Sequence, residues 1–398
     1  MTHGRRRGES VRLVSKSHRA FSSARSGVRG LPDLSDPTIS RSMEGTALTQ
    51  PDLARAVHAP AGALGIGIVG AGLIVRSAHL PAYRSGGFPV IALYDQNLER
   101  AQALAAEFGI PVVPTLDELL ARDDVRVVDI AVPPTAQAGI LLAAIEAGKH
   151  VLAQKPLAES AAEAADLVRA ARLAGVRLGV NQNGRWDPAV FRCRQLLSAG
   201  VLGDPVFASI ERVGPARWHL WPWLAERPRA LILHDAIHFL DAFRVWFGNP
   251  SGVLATTASD GRAGIAGETS AVIQIDWPSG ARAVLIDHTN EWAGEERCTF
   301  RVEGSEGVAA GSLGVFYNYP SGRPDTLEVR LRSGNLVPLH ELAGSWLPDG
   351  IGGAMGALQR AVLGSSPLET DGADHLHTLR LVDAAYTSAA TGCRVTVC

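Results

Sequence analysis

The pattern that most constrains this chain is a regular alternation of short apolar segments and helical segments between residues 65 and 183. Strands that alternate with helices of roughly 10–15 residues are typical of a parallel, doubly wound sheet, which binds ligands beyond the carboxyl ends of its strands. We therefore predict an α/β fold with a Rossmann-type front half. The predicted strands are Ile66–Val69, PVIALYD (89–95), VRVVDIAVPP (125–134), HVLAQKP (150–156) and VRLGVNQN (176–183).

A glycine turn follows the first predicted strand. Gly70 and Gly72 occupy the first two positions of a dinucleotide fingerprint, and Leu73 and Ile74 follow them. Val75 stands where a third glycine or alanine is usual. Glycines let the backbone approach a pyrophosphate at the positive end of the next helix, so we assign Gly70, Gly72, Leu73 and Ile74 to cofactor binding. A G-x-G alone is weak evidence, and the strand–helix alternation around it supports the assignment.

Asp95 ends the second predicted strand, where a carboxylate can bind the adenine ribose of NAD. The same carboxylate would repel the 2′-phosphate of NADP, so NAD is the predicted cofactor and NADP is disfavoured. The alternative is that Asp95 caps the helix predicted over residues 96–109.

Lysine is rare in this chain, with three lysines against 35 arginines. Lys155 nevertheless lies at a predicted strand end beside Gln154, and Pro133 and Asn181 lie at neighbouring strand ends. A partly buried lysine can titrate near neutral pH, whereas arginine stays charged. We therefore predict that Lys155 serves the chemistry and that Pro133, Gln154, Lys155 and Asn181 contact the cofactor. The alternative for Lys155 is a solvated loop residue.

Residues 1–60 differ in composition from the rest of the chain. Up to residue 41 they carry nine Lys/Arg against three Asp/Glu, without a periodic apolar face. We expect a disordered basic leader over residues 1–60, with a transit-peptide-like segment as the alternative and Met43 as a second candidate start.

Charge and cysteine usage restrict the class of protein. A formal net charge of −2 argues against a nucleic-acid or membrane-surface partner, and no apolar run approaches the ~18–20 residues of a membrane span. The four cysteines form no CxxC pair, which favours reduced thiols and a cytoplasmic protein.

Longer segments resemble the glucose–fructose oxidoreductase/inositol dehydrogenase (Gfo/Idh/MocA) family over about residues 64–398. GAGLIVRSAHLPA (70–82) is similar to the family's glycine turn and H-L-P-A segment. AGKHVLAQKP (147–156) resembles its A-G-K-H-V-x-x-E-K-P motif, with Gln154 replacing the glutamate. The segments at 183–211 and 383–397 resemble the family's R-F-x-P entry to the second domain and its closing helix.

The resemblance implies that Lys155 and His238 form a catalytic pair. His238 lies in LILHDAIHFLDAFRVWFG (231–248), where residues 234, 238 and 241 share one helix face. His234 stands where the family has an aspartate that would orient His238. Without the family resemblance, a surface histidine or a zinc helix remain open readings of HDAIH, although no clear third metal ligand follows it, and no metal is predicted.

Asp235 or Asp241 is expected to compensate for the missing aspartate. The alternative for Asp241 is an i, i+3 ion pair with Arg244.

Four further residues are predicted to contact the substrate. Arg185 and Trp186 come from the segment that resembles the R-F-x-P helix. Trp221 and Trp223 lie just upstream of the His238 helix, where their rings could stack on a sugar or simply fill a core.

The C-terminal half contains six segments with alternating apolar and polar residues, as expected of strands. The resemblance implies a second α/β domain around a large, open, mainly antiparallel sheet. One face of such a sheet would stay apolar unless it were covered. Family members usually cover it with another subunit, so the resemblance implies a homodimer or homotetramer through this face. The predicted domains are 1–60 (leader), 61–184 (NAD(P)-binding) and 185–398 (substrate and oligomerisation).

The predicted function is hydride transfer between nicotinamide and a carbinol of a sugar, polyol or inositol-like substrate. Two alternatives on the same fold stay open: a non-catalytic NAD-binding regulator, and an enzyme that performs elimination or glycosidic cleavage through transient oxidation.

Overall fold

A computed structural model describes residues 51–397, except residue 216 and residues 262–263 and 290–295. In its N-terminal part the strands are β1 (Ile66–Val69), β2 (Val90–Tyr94), β3 (Val127–Ile130), β4 (His150–Ala153) and β5 (Leu178–Val180). The helices there are α1 (Pro51–Ala56), α2 (Leu80–Gly86), α3 (Leu98–Phe108), α4 (Leu116–Leu120), α5 (Pro134–Glu146) and α6 (Ala161–Leu173). The five strands form a parallel sheet in the order β2–β1–β3–β4–β5, which confirms the predicted doubly wound architecture.

Local sequence explains where several of these helices begin. The side chains of Asn97, Thr115 and Ser160 accept the backbone N–H three residues later and so cap α3, α4 and α6. Because β1 and β3 are buried along their whole length, their residues are continuously apolar except Asp129.

The C-terminal part forms a nine-stranded sheet. Its strands are β6 (Pro205–Gly214), β7 (Gly252–Ala258), β8 (Ser270–Asp276), β9 (Arg282–Thr289), β10 (Arg297–Gly304), β11 (Gly307–Ser312), β12 (Thr326–Leu331), β13 (Leu336–Glu341) and β14 (Val395–Thr396). The order is β13–β12–β11–β10–β6–β9–β8–β7–β14, and all neighbours are antiparallel except β6 and β9. This mixed, mainly antiparallel sheet confirms the prediction.

Helices cover one face of this sheet. They are α7 (Pro188–Ser198), α8 (Ile237–Phe247) and α10 (Gly372–Thr391), with α8 in contact with the central strands β6 and β9 and α10 in contact with β7. A further helix, α9 (Asp349–Val362), precedes α10 in the chain. Helix α9, although late in sequence, packs on β4 and β5, and Ile351, Met355 and Leu358 join the core of the first sheet. The nucleotide-binding unit therefore takes a helix from beyond the predicted boundary at residue 184.

Residues 51–60 also depart from the prediction of a disordered leader. Helix α1 packs against α9, and Leu53 is buried in the core of the first unit. Arg360 of α9 donates to the carbonyls of Ala56 and His58. This contact was missed because a six-residue helix gives little periodic signal and depends on tertiary packing. Residues 1–50 and Met43 lie outside the described residues.

Candidate active site

A cavity of about 860 Å³ lies between the carboxyl ends of the parallel strands and the helix-covered face of the large sheet. Such a position is where open α/β sheets bind ligands. One end is lined by the glycine turn and the loops after β2 and β3. The other end is lined by Lys155, the start of α8 and a group of aromatic rings.

The glycine turn has the geometry that its sequence predicts. Gly70 has a φ of 113°, and a Cβ there would lie 2.4 Å from the carbonyl oxygen of Ala131 on the neighbouring loop. Gly72 has no atom within 4 Å of its Cβ position, so its backbone is open to the cavity. Leu73 and Ile74 also line the cavity. The turn thus fits a dinucleotide, because it leaves room for close approach of a pyrophosphate.

Asp95 lines the same end and does not cap the next helix, since Asn97 does. Its carboxylate accepts the backbone N–H of Ala71 in the glycine turn (2.7 Å) and that of Asn97 (2.8 Å). It also forms an ion pair with Arg100 (2.7 Å). The strand-end carboxylate is therefore hydrogen-bonded to the glycine turn itself.

Lys155 is held at the end of β4 by contacts on several sides. Its Nζ donates to the carbonyl of His234, and its backbone N–H donates to Oε1 of Gln154 (2.9 Å). The side-chain amide of Gln137 donates to the carbonyls of Gln154 and Pro156 and so fixes the loop. Burial lowers the pKa of Lys155 to about 8, while the Asp235 carboxylate acts in the opposite direction. The structure therefore places at the cavity an ammonium group whose pKa is lowered by burial.

The other lysine of the same segment has a structural position. Lys149 donates through Nζ to the carbonyls of Arg122 (2.8 Å) and Val125 (2.9 Å). It thus ties the start of β4 to the loop before β3, and it does not line the cavity.

A buried polar network behind Lys155 was not foreseen. His79 is fully buried, and its Nδ1 lies 2.7 Å from Asp129, which also accepts from the hydroxyl of Tyr83 (2.7 Å). The His79 Nε2 faces the amide nitrogens of Gln154 (3.1 Å) and Asn181 (3.4 Å). Since amide nitrogens only donate, Nε2 is the acceptor and Nδ1 carries the proton towards Asp129. The H-L-P-A segment contained His79, but no local pattern linked it to β3 and β4.

His234 and His238 both line the cavity near Lys155. Burial lowers the pKa of His234 to about 3, with a further contribution from Lys155. Burial also holds the pKa of His238 well below its usual range, again with a contribution from Lys155. Both rings are therefore neutral near pH 7. His234 is buried with no partner on either ring nitrogen, which leaves it free to bind a ligand.

Aromatic contacts fix the two imidazoles. The His234 ring meets Trp223 edge-on, with centroids 5.1 Å apart, and the His238 ring meets Trp346 in the same way at 5.2 Å. The indole of Trp346 is itself held by a bond to the side chain of Asn183 (3.1 Å). These contacts orient the rings without supplying a charge.

Asp235 also lines the cavity, where it pairs with Arg212 of β6 (2.9 Å). Arg212 pairs in turn with the buried Asp287 of β9 (3.0 Å). Trp221 and Trp223 both line the cavity and also pack against the core, and Trp221 contacts Tyr319. This end thus combines aromatic faces with hydrogen-bonding groups.

Asp241 makes its ion pairs and hydrogen bonds with residues other than His238, although its charge acts to raise the pKa of that imidazole. It forms ion pairs with Arg185 (2.6 Å) and Arg244 (3.2 Å) and accepts from Thr378 (2.8 Å). Burial opposes its ionisation, but the Arg185 guanidinium holds its pKa below the usual range. The ion pair with Arg244, proposed as the alternative, is the observed one. Asp241 is therefore a buried structural charge outside the cavity lining.

Two predicted substrate contacts and one cofactor contact also lie away from the cavity lining. Arg185 is buried against Asp241 and Asp374, and Trp186 is fully buried beneath α9. Asn181 is buried with its amide towards His79. Arg185 and Trp186 therefore lie where the two domains pack together. The prediction that they contact the substrate is corrected, because neither lines the cavity.

In the described part of the chain, no group of three or more His, Cys, Asp or Glu is placed to hold a metal ion. No described helix is long and apolar enough to cross a bilayer.

Comparison with known proteins decides the family. Residues 64–182 match the model of an oxidoreductase family with an NAD-binding Rossmann fold, and residues 190–310 match the Gfo/Idh/MocA C-terminal domain. The chain belongs to the Gfo/Idh/MocA family. It is therefore an NAD-binding oxidoreductase, as its sequence predicted.

Individual members of the Gfo/Idh/MocA family match over most of the chain. A D-apiose dehydrogenase from Paraburkholderia graminis is 30% identical over 343 residues, which cover 82% of this chain and 87% of the relative. A 1,5-anhydro-D-fructose reductase from Ensifer adhaerens is 31% identical over 251 residues, which cover 62% of this chain and 74% of the relative. An Agrobacterium radiobacter oxidoreductase, solved with NAD+, L-tartaric acid and magnesium, matches with a TM-score of 0.73. It is 26% identical, and the match covers 84% of this chain and 98% of that chain.

Proposed function

We propose that this protein is an NAD-dependent dehydrogenase that oxidises a carbinol of a sugar, polyol or inositol-like substrate. The observation that carries the proposal is that Lys155 and His238 line one end of a single cavity whose other end is the glycine turn. The names of the relatives, which act on sugars and sugar derivatives, support the same substrate class.

His238 is the proposed general base. Because its pKa is held well below neutrality, its ring is free of a proton at pH 7 and can accept one from a substrate hydroxyl. The buried Nδ1 has no partner, and Trp346 fixes the plane of the ring. General-base assistance of this kind contributes about 10²- to 10⁴-fold to the rate.

Lys155 is the proposed electrostatic partner. Its ammonium donates to the carbonyl of His234, and two further N–H groups stay available for the substrate oxygen. As the hydroxyl loses its proton, the positive charge stabilises the developing alkoxide. The same charge helps to keep His238 neutral.

NAD, when bound, supplies the acceptor for the hydride that leaves the carbinol carbon. Gly70, Gly72, Leu73 and Ile74 would hold its pyrophosphate, and Asp95 its adenine ribose. Pro133 and Gln154 line the cavity between these groups and Lys155, which suits contact with the nicotinamide half.

Hydroxyl-rich substrates suit the remaining polar groups. His234 offers both a donor and an acceptor to neighbouring hydroxyls, and Asp235 faces the same space. The rings of Trp221 and Trp223 offer faces on which the CH groups of a sugar can stack.

We further propose that a second copy of this chain covers the outer face of the large sheet. Val272 and Ile286 are register partners on β8 and β9, and both are exposed. Leu254 on β7 is exposed on the same face. Adjacent exposed apolar side chains on a flat sheet favour association with a like surface.

The deciding experiment is reduction of NAD+ measured against a panel of sugars, sugar acids and inositols. Turnover with net NADH formation supports the proposal, whereas product formation without net NADH would indicate elimination or cleavage. His238→Ala should lose about 10²- to 10⁴-fold in kcat while keeping its affinity for NAD. Tight NAD binding without turnover on any substrate would instead favour the regulator.

A further inference from the structure

Asp235 is a carboxylate at the substrate end of the cavity that keeps most of its acceptor capacity. Its Oδ2 forms an ion pair with Nη1 of Arg212 (2.9 Å), and no described residue donates a hydrogen bond to Oδ1. A carboxylate accepts about four hydrogen bonds, so several acceptor positions remain for a ligand. The described cavity wall contains one other carboxylate, that of Asp95, at the nucleotide end. Asp235 is thus the described carboxylate that a substrate can reach.

Arg212 is a donor held in a fixed position beside Asp235. It lies on β6 in register with the buried Asp287 of β9, and its Nη1 pairs with both carboxylates. Its Cζ lies over the ring of Phe316, 5.4 Å from the centroid. Arg212 lines the cavity, and the described residues place no acceptor on its Nε or Nη2. These two nitrogens can therefore donate to a ligand from a side chain that is already ordered.

Asp235 also lies close to the groups that carry the proposed chemistry. It precedes His238 by three residues in one helical segment, and both residues line the cavity. Burial lowers the pKa of Lys155 to about 8, and the Asp235 carboxylate opposes this change. Burial raises the pKa of Tyr319, also in the cavity wall, to about 12, and Asp235 adds to the rise. A carboxylate acts on both groups in this way only when it lies near them.

We propose that Asp235 and Arg212 form a subsite for a vicinal diol beside the carbinol that is oxidised. Each hydroxyl of a diol is both a donor and an acceptor, so it can donate to Asp235 and accept from Nε or Nη2 of Arg212. The two oxygens of one carboxylate suit two hydroxyls on adjacent carbons. The inference rests on the proposed dehydrogenase function and narrows its substrate class to polyols and sugars with adjacent hydroxyls next to the reacting carbon.

The subsite should select strongly against substrates that lack one of these hydroxyls. An analogue without the hydroxyl would leave a charged group of the cavity wall without its partner and with restricted access to water. Sites built to bind a hydroxyl reject such analogues more strongly than apolar pockets reject a missing methylene. We therefore expect a loss of about tenfold to a hundredfold in affinity and in kcat/KM.

The test measures binding and turnover for matched pairs of ligands. The probes are D-glucose, D-xylose and myo-inositol, each compared with its monodeoxy analogues. Calorimetric titration of the NADH-loaded full chain gives the dissociation constants, and reduction of NAD+ gives kcat/KM. The unaltered protein should bind at least one intact probe and should discriminate by about tenfold or more against the analogue that lacks a hydroxyl of the diol.

Two variants separate recognition of the diol from a structural ion pair. Asp235→Asn keeps the shape of the side chain and removes its charge, so it should weaken binding of the intact probe and bring the discrimination ratio close to one. Arg212→Lys keeps a positive charge beside Asp287 but loses the fork of donors, so it should lower the same ratio. An ion pair that served only the fold would change both dissociation constants equally and leave the ratio unaltered.

Asp276→Asn is the matched control. Asp276 pairs with Arg282 and Arg394 and does not line the cavity. Its discrimination ratio should equal that of the unaltered protein, because the change removes an aspartate charge from an Arg–Asp pair that lies away from the substrate.

Three results would overturn the subsite: no intact probe binds, intact and monodeoxy probes bind equally, or Asp235→Asn keeps the ratio of the unaltered protein. Selective binding of an intact probe without NADH formation would refute the dehydrogenase and leave the diol subsite standing. NADH formation without discrimination would refute the subsite and leave the dehydrogenase standing. The two proposals therefore fail separately.

Discussion

Lys155 determines how activity should depend on alkaline pH. Its pKa of about 8 means that the ammonium form is present below that value and is lost above it. If the charged form stabilises an alkoxide, kcat/KM should be level up to about pH 8 and then fall about tenfold per pH unit. A lysine acting as the base would give the opposite slope. The sign of this slope can be read from a pH profile of kcat/KM that is measured with saturating NAD+.

The Lys155→Arg protein is the control for this profile. Arginine stays charged throughout the range, so its residual activity should show no fall near pH 8. Burial raises the pKa of Asp287, behind Arg212, to about 7. If Asp287 caused the fall in kcat/KM, the fall would persist in Lys155→Arg. Such a result would contradict the assignment of the fall to Lys155.

Gln154 explains a second property of the site. Its amide nitrogen donates to Nε2 of His79 and its oxygen accepts from the backbone of Lys155. In Gln154→Glu, a carboxylate would replace the amide that donates to Nε2, so the hydrogen bond to His79 would be lost, whereas the backbone N–H of Lys155 would keep an acceptor.

Loss of this bond should lower kcat, because the loop that carries Lys155 is held in part through Gln154. His79→Ala removes the same bond from the other side, so the double variant His79→Ala with Gln154→Glu should lose about as much kcat as His79→Ala alone. Losses that simply multiply in the double variant would contradict a link between these two residues.

Strand ends and helix repeats in the sequence pointed to Lys155 and His238, and the structure places both at the cavity. For Asp241 the sequence left two readings open, a role in the site and an ion pair with Arg244, and the ion pair is present. The further partners Arg185 and Thr378 could not be foreseen, because they lie 56 and 137 residues away in the chain. The engagement of Asp95 by Arg100 was also unforeseen, although both residues lie in one βα turn, because the pattern shows a carboxylate and not its hydrogen bonds.

At the scale of elements, the glycines of α9 let it pack closely against two neighbours. A Cβ on Gly353 would lie 2.2 Å from the indole of Trp186, and one on Gly352 would lie 2.5 Å from the carbonyl oxygen of Val57. Glycine is normally unfavourable inside a helix, so its use here reflects close approach. The sequence GIGGAMG gave no sign of which elements approach, because these contacts join residues far apart in the chain.

Gly353→Ala should therefore destabilise the protein by about 1–3 kcal/mol, because a buried indole must shift. Gly139→Ala in α5 is the matched control, since nothing lies within 4 Å of its Cβ position. The control should be neutral or stabilising by up to about 1 kcal/mol, as expected of alanine in a helix. Thermal unfolding measures both. Equal midpoints for the two variants would contradict the close packing of α9 on Trp186.

At the scale of the whole molecule, the two sheets differ in what covers them. The parallel sheet has helices on both faces, whereas the described helices cover one face of the nine-stranded sheet. The alternation of buried and exposed residues along β8 and β9 makes this asymmetry visible in sequence. The cytoplasmic location remains a prediction.

The outer face of the large sheet carries the last prediction, that the protein is an oligomer through this face. The chain has a mass of 42.0 kDa, so light scattering should give at least twice that value at micromolar concentration. Val272→Lys together with Ile286→Lys should lower the mass to that of one chain and leave the fold intact, because both positions already face outward. Leu173→Lys is the control, since Leu173 is equally apolar and 78% exposed but lies on α6. An unaltered protein that runs as a single chain, or a double variant that keeps its oligomeric mass, would contradict association through β8 and β9.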